Sequence, residues 1–234
     1  MGHDLKKSWL ATEVCRAAGL PTPYIISYGE HPNTPHAPIS ILMTRLPGRE
    51  LSQAYESLSS KAKTTALTEF KLCLSTIREY ESPWGDERVC SITGGAIRSI
   101  RVPNHTIGPC ETPQEFHDYL LAPARYLSTS EAAHEEKLRS ARKLQSLQRP
   151  GVKFKHGDIK HYNILVDEEG HITGLLDWES AGWYPEFWEY TTALRLLPKD
   201  FWYEFLLRAG AERYLEESEC ERALTNLTAD SYSW

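Results

Sequence analysis

Residues 155–181 read KHGDIKHYNILVDEEGHITGLLDWESA, and the spacing of their polar side chains points to one architecture. His156 and Asp158 flank a glycine, Asn163 follows Asp158 by five residues, and Asp177 follows Asn163 by fourteen. These polar positions alternate with β-rich apolar runs, which predicts loops that emerge from short strands.

The apolar runs NILVD and ITGLLD are separated by Glu-Glu-Gly at 168–170, a length and chemistry that favour a tight hairpin. A hairpin brings Asp177 back to the end of the strand pair where the loop that holds Asp158 and Asn163 enters its strand. We therefore expect two carboxylates and one amide oxygen to lie together at this end of the hairpin.

These side chains suit phosphoryl transfer from ATP. That reaction needs a carboxylate near the attacking hydroxyl, ligands for the metal that accompanies the triphosphate, and rigid placement of all of them. Carboxylate and amide oxygens are hard ligands of the kind that Mg²⁺ prefers. Asp158, Asn163 and Asp177 can supply these groups.

The pattern H-x-D-x-x-x-x-N followed by a strand-borne Asp resembles the catalytic and metal loops of the protein-kinase-like fold. The segments HGDIKHYNILV and LLDWESAG most resemble the aminoglycoside phosphotransferase family, including its choline-kinase-like relatives. This resemblance implies that Asp158 is the general base and that Asn163 and Asp177 bind Mg²⁺. It also implies that His156 orders the loop and that Lys160 steadies the transferring phosphate.

Three other segments extend the resemblance. ILMTRLPGREL at 41–51 is similar to the strand and hinge that join the two lobes, which implies that backbone groups around Thr44 and Leu46 meet adenine. Glu13, on a predicted helix over 8–18, matches the acidic residue that pairs with the phosphate-binding lysine. The loop at 89–121 resembles a segment of fungal family members.

The fold class expected is α+β, a protein-kinase-like fold with an incomplete N-terminal lobe at 1–47 and a mostly helical C-terminal lobe at 48–234. The family places a glycine-rich loop and a lysine-bearing strand before the helix of Glu13, whereas only seven residues precede Ser8. We therefore expect a truncated lobe, no lysine partner for Glu13 and impaired turnover. Periodicity and turn signals predict strands at 24–28, 39–46, 152–156, 163–167 and 172–177, and helices at 59–81, 113–127, 130–148 and beyond 185.

The composition limits the kinds of binding partner and the cellular location that we expect. The chain has 26 Lys and Arg against 32 Asp and Glu, a net charge of −6, which argues against nucleic-acid and membrane-surface binding and weakly favours cationic ligands. Five cysteines without a C-x-x-C motif indicate reduced thiols. With no apolar run long enough to span a bilayer, we expect a cytoplasmic protein.

The function that these features predict is an ATP- and Mg²⁺-dependent phosphotransferase acting on a hydroxyl of a small molecule. An aminoglycoside, a choline-like amine and another hydroxylated metabolite all remain open as acceptors. The alternative is a non-catalytic, pseudokinase-type binding module. A metal-dependent phosphohydrolase is a third reading, against which the loop bearing Asn163 argues.

Expectations also follow for acidic, aromatic and histidine residues outside these motifs. The acidic Glu179, Glu186 and Glu189 either face a cationic substrate or are solvated. The run EESECERAL at 216–224 predicts an exposed helix. The aromatic residues that follow Asp177 are expected in the core, and four histidines are expected at the surface; these are Trp178, Trp183, Tyr184, Phe187, Trp188 and Tyr190, and His31, His36, His161 and His171.

Overall fold

A computed structural model describes residues 2–29, 40–99, 101–102, 105–124, 130–147, 151–195 and 200–228. In its N-terminal part, helix α1 (Gly2–Ala17) is followed by an antiparallel pair of strands, β1 (Ile25–Gly29) and β2 (Ser40–Met43). The predicted helix over 8–18 and the predicted hairpin are confirmed, and the helix begins earlier than expected. His31 and His36 lie outside the described residues.

The remainder is mainly helical. Helix α3 begins after Ser59, whose hydroxyl accepts from the Ala62 amide, and it buries the stripe that includes Phe70 and Leu74. The helices of this part are α2 (Leu51–Ala54), α3 (Ser60–Arg78), α4 (Pro113–Leu121), α5 (Glu131–Ser146), α6 (Trp188–Leu194), α7 (Phe201–Ala209) and α8 (Leu215–Thr225).

Short strands form three further antiparallel sheets, ordered β4-β10-β7, β3-β8-β9 and β5-β6. The predicted hairpin around 168–170 is confirmed as β8 and β9. The bounds are β3 (Arg49–Glu50), β4 (Cys90–Ser91), β5 (Ile97–Arg98), β6 (Thr106–Ile107), β7 (Val152–Lys155), β8 (Ile164–Val166), β9 (Ile172–Leu175) and β10 (Gly182–Pro185).

The core lies between α3, the sheet of β7 and β10, and helices α6 to α8. All six aromatic residues expected there are buried, with at most 2% of any of them exposed. All five cysteines are buried free thiols, as their spacing predicted. Large aromatic rings around β10 and α6 therefore form a rigid support behind the loops that follow β7 and β9.

The structure contradicts the sequence-based expectations for helix α8 and for His161. The acidic helix α8 is not an exposed helix, because Glu217 and Glu221 are buried and Glu221 pairs with Arg101 from the loop after β5. His161 is half-buried against Phe201 and Trp202 rather than at the surface. In both cases a partner distant in sequence covers a polar side chain. His171 is exposed, as expected.

Candidate active site

Two loops meet at the candidate site: the HGD loop (residues 156–163) and the DWE turn (residues 176–181). The HGD loop joins β7 to β8, and the DWE turn joins β9 to β10. Lys155 lies opposite Gly182, and Ile164 lies opposite Leu175. Because both ends of the two loops are paired in this way, the loops run side by side along one edge.

His156 connects the two loops. Its ring is buried, with Nε2 2.7 Å from the Leu176 carbonyl oxygen and Nδ1 3.4 Å from the Asp158 amide nitrogen. A carbonyl oxygen only accepts, so Nε2 carries the proton and Nδ1 is the acceptor. The ring also packs on Trp178 at 4.5 Å between centroids. His156 therefore contacts the HGD loop, through the Asp158 amide, and the DWE turn, through the Leu176 carbonyl and Trp178.

Backbone bonds complete this connection. The Leu176 amide donates to the Asn163 carbonyl at 2.9 Å, and the Asn163 amide donates to the Lys160 carbonyl at 2.9 Å. The Asn163 side chain is buried, and its Nδ2 donates to the Asp158 carbonyl at 3.2 Å. With the amide nitrogen engaged, Oδ1 is the atom that remains to ligate a cation.

Asp158 forms an ion pair with Lys160. The Lys160 Nζ is 3.0 Å from the Asp158 carboxylate, and the side chains of Lys160 and Asp158 are only 9% and 13% exposed, respectively. Burial works against the Lys160 ammonium, but Asp158 and Tyr162 outweigh it and raise the pKa of Lys160. Lys160 therefore stays charged at neutral pH and holds the Asp158 carboxylate in place.

Asp177 has a left-handed backbone, with φ of 65° and ψ of 61°. This conformation is uncommon for a residue other than glycine and is enriched at functional sites. The residue is exposed, and within the described ranges no donor binds its carboxylate. Asp177 is therefore a free carboxylate beside the HGD loop.

The structure adds a residue that the sequence did not assign to the loop. Glu189 on α6 is 1% exposed, and its Oε2 accepts from the His156 backbone amide at 2.8 Å. The sequence placed Glu189 toward a substrate or solvent, whereas the structure buries it behind the HGD loop. No local signal identifies this role, because the bond spans 33 residues.

The expected cofactor residues lie on α1 and after β2. The Thr44 amide donates to the Tyr24 carbonyl and its hydroxyl accepts from the Tyr24 amide, both at 2.9 Å. Leu46 is half-buried near Gly174 of β9, where an added Cβ would be 3.0 Å from a Leu46 methyl. Glu13 pairs through Oε2 with Arg16 of the same helix, while its buried Oε1 has no hydrogen-bond partner within the described part of the chain.

The other acidic candidates differ in environment. Glu179 pairs with Arg98 at 3.3 Å, and its side chain is about one-third exposed. Glu186 is half-buried.

Across the described ranges, no group of three or more His, Cys, Asp or Glu side chains is arranged to hold a metal. A cation at this site would therefore depend on two protein oxygens together with ligands from a bound nucleotide and water.

Comparison with solved structures gives the fold. The apo form of a thermostable mutant of aminoglycoside phosphotransferase APH(4)-Ia has a TM-score of 0.67 at 17% identity, over 97% of this chain and 73% of that one. A variant of it in ternary complex with ADP and hygromycin B has a TM-score of 0.65 at 17% identity, over 94% and 71% of the two chains. The streptomycin-ATP-APH(2")-IIa ternary complex has a TM-score of 0.56 at 16% identity, over 96% and 70%.

These similarities show an aminoglycoside phosphotransferase fold, which is protein-kinase-like. No curated protein sequence matches the chain. None of the helices within the described ranges is both long and apolar enough to cross a bilayer. The profile of the phosphotransferase enzyme family matches residues 11–224, so the chain belongs to that family.

Proposed function

We propose that this protein transfers the γ-phosphoryl group of ATP to a hydroxyl of a small molecule. The observation that carries the proposal is the pairing of the HGD loop with the DWE turn, through the bonds from His156 to Leu176 and from Leu176 to Asn163. This pairing brings Asp158, Asn163 and Asp177 to one rim. Enzymes that transfer phosphoryl groups act almost entirely by positioning the reactants and stabilising charge. Two carboxylates and one amide, held in place by the pairing of the two loops, suit this reaction.

Asp158 is the group that orients the acceptor hydroxyl and takes its proton. Its carboxylate is held at 3.0 Å from the Lys160 ammonium, which fixes its position. Lys160 also brings positive charge to the place where the transferring phosphoryl group would lie. His156 contributes through its bonds to the Asp158 amide and the Leu176 carbonyl rather than by contact with the substrate.

Asn163 and Asp177 fit Mg²⁺. Asn163 offers Oδ1 because its Nδ2 is engaged, and Asp177 offers a carboxylate without a donor among the described residues. Mg²⁺ commonly binds through one or two protein groups together with phosphates and water, which agrees with this small donor set. When bound, the ion would neutralise charge on the nucleotide phosphates.

Adenine would lie near the segment after β2. The Thr44 amide is already bonded to Tyr24, so the Thr44 carbonyl and the backbone of Leu46 remain for the base. We place the lobe boundary at residue 47, where the Pro47 carbonyl accepts from the Thr173 hydroxyl of β9 at 2.7 Å. Glu13 lies on α1, which packs against the DWE turn, and the resemblance implies that it would pair with a phosphate-binding lysine.

The acceptor is proposed as a hydroxylated small molecule that carries positive charge. The net charge of −6 and the carboxylates of Asp158 and Asp177 favour such a compound. The solved relatives with bound hygromycin B and streptomycin place polyhydroxylated amines in proteins of this fold. Aminoglycosides are therefore the first class to test, and choline-like amines are the second.

The direct test is product formation from Mg²⁺-ATP with hygromycin B, streptomycin, kanamycin or choline, followed by mass spectrometry. We expect one acceptor to gain a single phosphoryl group, and we expect Asp158→Asn to lose this product. Phosphate release to water that is independent of every acceptor would instead indicate a phosphohydrolase.

A non-catalytic binding module is the second candidate, because the observed partner of Glu13 is Arg16 of the same helix. Nucleotide binding without product from any acceptor would favour that module. Product that disappears in Asp158→Asn would reject it.

A further inference from the structure

Tyr184 is a buried tyrosine on β10 that contacts both loops of the site. It is 0% exposed, and its hydroxyl donates to the Ser180 carbonyl oxygen at 2.7 Å. Ser180 lies three residues after Asp177 in the DWE turn. The hydroxyl therefore fixes the backbone of the turn that carries the free carboxylate.

The same two groups lie against the HGD loop. Gly157 has φ of +83°, and a Cβ built on it would be 2.1 Å from the Ser180 carbonyl oxygen and 3.1 Å from the Tyr184 hydroxyl. Such distances leave no room for a side chain, so the backbone before Asp158 packs directly on Ser180 and Tyr184. Burial, reinforced by Glu189 and Asp158, raises the pKa of Tyr184 well above its ordinary value, so the phenol remains a neutral donor.

The aromatic ring of Tyr184 is held in place by a stacked tryptophan. It stacks on Trp188 with centroids 5.3 Å apart and an interplanar angle of 9°. The Arg101 guanidinium lies 4.0 Å from the centre of a Trp188 ring and forms an ion pair with Glu221 of α8. This stack prevents the phenol from turning away from Ser180.

We propose that Tyr184 is a positioning residue for phosphoryl transfer. Its hydroxyl fixes the HGD loop relative to the DWE turn by holding the Ser180 carbonyl against Gly157, and thereby sets the separation of Asp158 from Asp177. Tyr184 touches neither substrate nor nucleotide in this scheme. The inference rests on the proposed function, since it concerns the same site.

The test compares Tyr184→Phe with Tyr190→Phe as a matched control. Tyr190 is also buried, at 2% exposed, and its hydroxyl donates to a backbone carbonyl, that of Ala209, at 3.3 Å. Hydrogen exchange of the nucleotide-free protein measures loop order without requiring turnover. We expect faster exchange at 156–163 and 176–181 in Tyr184→Phe only, with α3 unchanged in both variants.

The functional readout is the affinity for AMP-PNP with and without Mg²⁺. Losing one buried hydrogen bond that aligns the two loops should weaken Mg²⁺-dependent binding about 3- to 10-fold in Tyr184→Phe, with Mg²⁺-free binding less affected. Where an acceptor supports turnover, kcat should fall while the KM of the acceptor stays within about twofold.

The outcomes separate the two proposals. Exchange and affinity in Tyr184→Phe that equal those of the wild type would overturn the positioning role while leaving the proposed function intact. A wild type with no Mg²⁺-dependent nucleotide binding would instead overturn the proposed function, and the positioning role with it. A general loosening that includes α3 would show that Tyr184 has only a structural role.

Discussion

We expect the buried Lys155 to make the free energy of unfolding depend on pH. We expect the substitution Lys155→Met to remove this dependence. Its side chain is 0% exposed at the end of β7, and its Nζ has no hydrogen-bond partner within the described residues. Burial lowers the pKa of Lys155 from 10.5 to about 7; the nearby Arg78 adds to this shift and Glu189 opposes it. In the unfolded chain the ammonium regains its ordinary pKa. Between these two values the unfolded chain therefore binds more protons than the native state.

Proton linkage determines whether the free energy of unfolding rises or falls with pH. Where the unfolded state binds more protons, the free energy of unfolding rises with pH, by about 1.4 kcal/mol per pH unit for one group. From pH 7.0, where the native lysine is half protonated, to pH 8.5 this gives a gain of about 1.6 kcal/mol from Lys155. Below pH 7 the native state takes up the proton too, so the dependence flattens and the destabilisation is greatest.

Lys155→Met removes the ionisable group and keeps the volume approximately. We expect the variant to be more stable than the wild type at pH 7, with a gap that narrows by about 1.6 kcal/mol as the pH rises to 8.5. Urea unfolding at each pH measures this gap, and Lys153→Met, at an exposed position of the same strand, is the control. A gap that is constant with pH, or one that Lys153→Met reproduces, would refute the reasoning.

Three further substitutions test separate contacts. Gly157→Ala should lower the melting temperature and abolish Mg²⁺-dependent nucleotide binding, since its Cβ would lie 2.1 Å from a backbone oxygen; normal binding would contradict the packing. Glu189→Ala should cost about 1–3 kcal/mol in urea unfolding, because the buried His156 amide loses its acceptor, whereas Glu189→Gln should recover part of this loss. The exposed His171 pairs with Glu69 at 2.6 Å, which raises the His171 pKa. Its stabilisation is therefore complete below about pH 6.5 and is lost as the pH rises through the higher native value, so the melting-temperature gap between wild type and His171→Gln should shrink from pH 6 to 8.5. A gap that grows over this range would show that the pair does not form.

The sequence allowed the parts of the fold that depend on local pattern to be predicted. The hairpin of β8 and β9 follows from two β-rich runs around 168–170, and helix α3 follows from apolar residues spaced by three and four. The family and the fold also agree with the resemblance based on HGDIKHYNILV and LLDWESAG. The roles assigned to individual site residues stay predictions.

The contacts between distant segments could not be predicted in this way. Glu189 holds the His156 amide across 33 residues, and Glu221 pairs with Arg101 across 120. Periodicity assigns acidic side chains to a solvated face, because it contains no information on a buried partner from another element. The same limit applies to Tyr184, whose aromatic character predicted burial but not its bond to Ser180.

The central claim is that Asp177 joins Asn163 and Asp158 in a site for Mg²⁺ and nucleotide. Calorimetric titration of AMP-PNP into the wild type and Asp177→Ala, each with and without Mg²⁺, tests it most directly. We predict that the wild type binds with Kd of about 1 mM or tighter in the presence of Mg²⁺, which corresponds to at least about 4 kcal/mol, and more weakly in its absence. The folded Asp177→Ala variant should lose this Mg²⁺-dependent binding. Equal binding by both proteins, or no heat from a folded wild type, would contradict the account.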